Sequence, residues 1–127
     1  MDALAAAGVT AVLLPAADLS TRQPLAPARR LADAGVPLAI ASNCNPGSSY
    51  TTSMAFCVAT AVLQQRLTLA EALWAATRGG ARVLGLDAGA IRVGGPADLH
   101  VLDAPSSAHL AYRPGVPLTH RVLLGGR

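Results

Sequence analysis

The chain has 127 residues, the size of one domain, and its 52% hydrophobic content with only 13% charged side chains excludes a disordered tail. The net charge of +3 comes from ten Arg and no Lys against seven acids, scattered from Arg22 to Arg127 with Arg29 and Arg30 as the one adjacent pair. With no basic stripe and few aromatics, nucleic-acid binding is not expected. The apolar residues are mostly Ala, Val and Leu, aromatics are 3% and mean hydropathy is +0.42. A surface this apolar implies covering structure from elsewhere or oligomerisation.

Apolar runs such as Val58–Leu63 fall short of the roughly 18 residues of a membrane span. Asp2 stands where a secretory leader carries positive charge, so no signal peptide is expected. Cys44 and Cys57 form neither a zinc nor a disulfide pattern, which suits a reduced cytoplasmic compartment.

In chain order, Asp2–Ala7 reads as a helix stopped by Gly8, and Val9–Leu14 as a buried strand ending at Pro15. Ala16–Pro27 reads as a polar, Pro-bearing loop. Ala28–Ala34 is helical and closed by Gly35, and Val36–Ala41 is a second buried strand. Strand, helix, strand makes a βαβ unit with parallel strands. The second strand runs directly into Ser42-Asn43-Cys44-Asn45-Pro46-Gly47-Ser48-Ser49, a set of turn formers and hydrogen-bonding side chains. In parallel α/β folds, ligand-binding groups gather at this end of the strands.

Ser53 is placed to cap a helix reaching about Arg66, and Thr68 with Glu71 matches a capping box for the next. Helical spacing continues through Leu69, Leu73, Trp74 and Thr77 to Leu84, where Gly85 stops it. From Ala90 the character changes: glycines and Pro96 punctuate short segments, with strands expected at Asp98–Asp103 and Leu118–Leu124.

The run Ala41–Ser49 resembles the end of the eighth barrel strand of imidazolonepropionases, which are metal-dependent amidohydrolases. Gly8–Pro15 resembles the seventh strand of that family. Thr52-Ser53-Met54 with Phe56, Ala70-Glu71-Ala72 and Thr77–Ala81 resemble its last barrel helices. Gly89–Gly94 with Ala97-Asp98-Leu99 is similar to the segment by which amidohydrolases return to a small β-sandwich. The resemblance implies an α/β fold, with the last βα units of a TIM barrel in residues 1–88 and strands of the β-sandwich in 89–127. The implied family reaction is hydrolytic opening of 4-imidazolone-5-propanoate to N-formimidoyl-L-glutamate in histidine degradation.

In that family zinc or iron binds through a His-x-His, a further His and an Asp that ends the eighth strand. Here the matching position is Asn43, there is no His-x-His, and the first His is His100. A neutral amide oxygen is a weak metal ligand and no base near pH 7. The resemblance therefore places no catalytic residue in this chain, and it assigns ligand contacts to Asn45, Gly47 and Ser48. An Asn amide, a close-approach Gly and a hydroxyl can all hydrogen-bond a small polar molecule. The partners it implies are the small-molecule substrate and either the N-terminal part of the barrel or a second copy.

Other readings stand beside this one. Asn43–Ser49 could be an ordinary turn, and the chain a non-catalytic remnant or interaction module. A half-Rossmann unit would need a Gly-rich phosphate loop after the first strand, where Pro15-Ala16-Ala17-Asp18-Leu19 stands. Cys44 and Cys57 read as small buried fillers, Met54, Phe56 and Trp74 as helix-face packing, and Asp98 as structural. His100, His109 and His120 match no local ligand spacing and read as solvent or interface histidines.

Overall fold

The computed structural model describes residues 1–127. Helix α1 (Asp2–Ala6) leads through Gly8, at φ +64°, to strand β1 (Ala11–Leu13). Helix α3 (Ala28–Asp33) connects to strand β2 (Leu38–Ile40). β1 and β2 pair in parallel, with Ala11 opposite Leu38, Val12 opposite Ala39 and Leu13 opposite Ile40. All three β2 residues are buried. A strand enclosed on both faces has no polar positions to alternate, which is why Val36–Ala41 reads as a continuous apolar run.

One expected loop is instead partly helix. Helix α2 (Pro15–Ser20) begins immediately after β1, with Pro15 in its first turn. Proline is favourable there because its missing N–H has no intrahelical acceptor to lose and its φ is already helical. The residue read as the stop of a strand is thus also the start of a helix. The Asp18 carboxylate accepts from the Ala26 N–H at 3.3 Å and helps close the shorter loop that follows.

The caps behave as the sequence indicates. Ser53 Oγ accepts from the Phe56 N–H at the start of helix α4 (Met54–Leu63), and Thr68 and Glu71 complete a reciprocal capping box on helix α5 (Leu69–Trp74). The continuous helix expected up to Leu84 contains a π segment, Ala75–Gly79, before helix α6 (Gly80–Val83). Gly79 explains how the widened turn packs: a Cβ built there would lie 2.1 Å from the Leu38 carbonyl oxygen and 3.1 Å from the Trp74 ring. Only a glycine lets this backbone approach β2 so closely.

In the tail, β3 (Leu99–Leu102) and β4 (Thr119–Leu123) pair antiparallel, and a short helix, α7 (His109–Tyr112), that the sequence reading lacks lies between them. Leu110 and Leu118 from this region join the buried cluster of Leu13, Leu38, Ile40, Cys57, Val58 and Leu67. Asp98 is structural as expected, its carboxylate accepting from the Gly125 N–H at 2.8 Å. Of the packing residues, Met54 lies against the core, whereas Phe56 and Trp74 are partly exposed.

The expected apolar surface is present. Val12, Tyr50, Leu63, Ile91 and Val93 are all exposed, and no helix is long and apolar enough to cross a membrane.

One ion-pair network ties α3 to α5. Arg29 donates two parallel hydrogen bonds to Glu71, at 2.8 and 2.9 Å, and also pairs with Asp33. The guanidinium, with the Thr68 N–H of the capping box, pulls the Glu71 carboxyl down to about 2. A carboxylate depressed in the folded state stabilises fully above its unfolded pKa, near 4.3, and loses that contribution as pH falls toward 2. Glu71→Gln should therefore flatten the acid limb of the stability curve between pH 5 and 2, read by urea denaturation at several pH values.

Gly79→Ala should destabilise by about 3 kcal/mol, the upper end of overpacking costs, because the obstructing atom is backbone. Gly80→Ala meets nothing within 4 Å and should be neutral or stabilising by roughly 0.5–1 kcal/mol. Thermal denaturation of the two variants checks the contrast.

Candidate functional site

The parallel strands deliver the chain to one end of the sheet. The ladder closes with the Ala41 N–H donating to the Leu13 carbonyl at 3.0 Å, and the polar segment begins at Ser42. Asn43 follows at φ +51°, a left-handed conformation that Asn tolerates better than most residues. The backbone then turns on itself: Asn45 N–H donates to Ser49 O at 2.8 Å, and Ser49 N–H to Asn45 O at 3.3 Å.

The Asn45 side chain is the centre of this turn. Its Oδ1 accepts from the N–H groups of Gly47 and Ser48, both at 2.9 Å. Its Nδ2 donates to the Asn43 carbonyl at 2.7 Å and to Ser48 Oγ at 2.8 Å. Two donors and two acceptor sites are the whole capacity of an amide, so the turn itself satisfies Asn45 completely. The Ser48 hydroxyl accepts from Asn45 and keeps its own proton available. Ser49 is buried, its Oγ donating to the Ser42 carbonyl at 3.1 Å.

The structure thus brings Asn43, Asn45, Gly47 and Ser48 together at the carboxyl end of β2. Asn43 is exposed and its amide makes no hydrogen bond within the chain, although its carbonyl holds Asn45. Cys44 is also exposed, which corrects its reading as a buried filler: it stands just before the Asn45–Ser49 turn, outside the core. Cys57 is buried as expected, and burial pushes its thiol pKa up. That disfavours a nucleophilic thiolate.

The histidines lie elsewhere. His100 on β3 shares a hydrogen bond with Thr119 Oγ1 at 2.9 Å and is exposed, His109 lies on α7 and His120 on β4. No three His, Cys, Asp or Glu side chains converge as a metal-binding group would require. The free donors in the loop are one neutral amide at Asn43 and one thiol at Cys44, fewer than the three protein ligands of a catalytic zinc site.

One contributor escaped the sequence reading. Ser20, in the segment taken for a loop, lies at the end of α2, and its hydroxyl is within hydrogen-bond reach of the Ser48 carbonyl as well as of the Ala16 carbonyl in its own helix. Pro15 was the available signal, since a proline directly after a strand can open a helix and so carry a residue five positions later onto the same end of the sheet.

The profile of the Amidohydrolase family matches residues 1–126. The chain belongs to the amidohydrolase family. Among curated amidohydrolases it is 67% identical to the imidazolonepropionase of Micrococcus luteus over 124 residues, covering 94% of this chain and 30% of that protein. It is 64% identical to that of Saccharopolyspora erythraea, covering 96% of this chain and 33% of the relative. The chain therefore spans about a third of the length of the curated relatives it matches and is a segment of a larger fold.

Of solved amidohydrolase-fold structures, a zinc-bound adenosine deaminase from Xanthomonas campestris superposes with a TM-score of 0.81 at 31% identity. It covers 99% of this chain and 33% of that one. Helicobacter pylori aminofutalosine deaminase superposes at 0.70 and 24% identity, covering 91% and 31%, a likeness of fold alone.

Asn45→Ala should leave the Gly47 and Ser48 N–H groups without their acceptor. The loop should lose about 1–2 kcal/mol, two modest hydrogen bonds. Those two amides should exchange with solvent markedly faster by NMR, whereas Asn45→Asp, which keeps the acceptor, should preserve most of their protection.

Proposed function

We propose that this chain is the C-terminal segment of an imidazolonepropionase, contributing to hydrolytic opening of 4-imidazolone-5-propanoate to N-formimidoyl-L-glutamate. The observation that carries this reading is 67% identity to the Micrococcus luteus imidazolonepropionase across nearly the whole chain. The Xanthomonas campestris deaminase, similar in fold, reaches 31%. In this reading β1 and β2 are the last two strands of a TIM barrel within residues 1–88, and residues 89–127 supply strands of the small β-sandwich. The parallel pairing of β1 with β2 and the antiparallel pairing of β3 with β4 support that division.

The part this chain plays is ligand recognition. Asn45 shapes the turn, Gly47 leaves room beside the Asn45 amide oxygen, where a Cβ would lie 3.3 Å away, and Ser48 offers a hydroxyl proton toward the imidazolone substrate. No proton-transfer step is assigned to the loop, because the amides of Asn43 and Asn45 and the hydroxyls of Ser48 and Ser49 are no bases near pH 7. Zinc or iron, if it serves this reaction, must be held by residues of the remaining two thirds of the fold. The exposed apolar side chains of Val12, Val9 and Leu63 suit a surface that this remainder, as an N-terminal partner or another copy, covers.

A second reading is favoured by Asn43 and the missing donor set: a non-catalytic module that keeps the ligand loop and hydrolyses nothing. Joining this chain to the remaining part of the Micrococcus luteus enzyme, in place of that enzyme's own segment, separates the two by loss of imidazolonepropionate. Turnover should be measurable, and Asn43→Asp should raise it by roughly 10²-fold, the contribution of a positioned general base. A folded fusion with no turnover in either form would leave the module reading standing.

A further inference from the structure

The four hydrogen bonds of the Asn45 amide all end within residues 43–48, so they set the shape of the turn but not its position in the molecule. The bond from Ser49 Oγ ends on Ser42, at the base of the same loop. Beyond residue 41, one hydrogen bond reaches residues 42–49 from another element: that of the Ser20 hydroxyl to the Ser48 carbonyl. The Ser48 carbonyl accepts no other hydrogen bond from the chain.

We propose that Ser20 is a positioning residue which, through the Ser48 carbonyl, fixes the height and tilt of the Asn45–Ser49 turn over the end of the sheet. The geometry favours such a role. α2 starts directly at the end of β1, and β1 is in register with β2, so Ser20 and Ser48 are carried by two adjacent, hydrogen-bonded strands. The brace thus links the turn to the same rigid pair from which the turn emerges. Ser49 is buried beside it, and the Asn45 amide donates to the Ser48 hydroxyl within the turn.

The Ser20 hydroxyl has one proton and three carbonyls within reach, those of Ala16, Ala17 and Ser48. A serine in the last turn of a helix commonly bonds back to its own helix. Such a bond would satisfy Ser20 equally but would join nothing, and its use in place of the Ser48 bond would free the loop. In this role Ser20 acts through the Ser48 carbonyl.

The kinetic arm of the test rests on the hydrolase reading above, and the spectroscopic arm does not. In the fusion with the complete fold, Ser20→Ala should raise KM for imidazolonepropionate roughly three- to tenfold, the worth of one hydrogen bond, with kcat nearly unchanged. Ser20→Thr, which keeps the hydroxyl, should restore KM. The ¹³C resonance of the Ser48 carbonyl should move upfield in Ser20→Ala and stay in Ser20→Thr. An unmoved carbonyl resonance in Ser20→Ala overturns the brace, as does an active fusion whose KM ignores the substitution. An inactive fusion whose carbonyl resonance still follows the hydroxyl sinks the hydrolase reading and retains the brace.

Discussion

Burial of β2 on both faces constrains everything that follows it. Leu38, Ala39 and Ile40 cannot turn, alternate or slip, because each is packed against the core while its backbone is paired with β1. The chain must therefore leave the interior at Ala41 in one direction, and the polar residues that follow emerge at the carboxyl end of a parallel pair. Gly79 secures the other side of the strand by letting helix backbone rest on the Leu38 carbonyl. The placement of the candidate site is in this sense a consequence of apolar packing, and the polar residues only decide what is presented there.

Those polar residues divide their work. Asn45 organises the turn from within and has no hydrogen-bonding capacity left, whereas the Ser48 hydroxyl accepts from Asn45 and donates to no group of the chain. The family resemblance assigns Asn45 a ligand contact, and any such contact would have to displace a bond that now holds the loop. Asn43, by contrast, has a free amide and a left-handed backbone held by its neighbour. An amide at this position carries no charge to offer a metal and is no base near pH 7.

The apolar side chains left exposed belong to a chain that spans about a third of the length of its curated relatives. Side chains such as Val12 and Tyr50 are exposed although one lies in a strand and the other beside the site. The Arg29–Glu71 pair shows that the helices this segment does contain are nevertheless fastened to one another by specific geometry, through a bidentate contact built on a helix cap.

The sequence by itself determined the parallel strand pair, the helix caps at Ser53 and Thr68, the loop Asn43–Ser49 and the absence of a His-x-His. Each depends on local pattern: apolar runs bounded by turn residues, or a capping motif spanning four positions. Tertiary structure decided what local pattern could not express. Pro15 serves two elements at once, and only the position of α2 shows that it opens a helix. The π segment at Ala75–Gly79 follows from contact with β2, and the short α7 from packing of Leu110 on the core. The link between Ser20 and Ser48 joins residues 28 positions apart. No periodicity reports such a contact, because it exists only once two strands have aligned and carried both residues to the same end of the sheet.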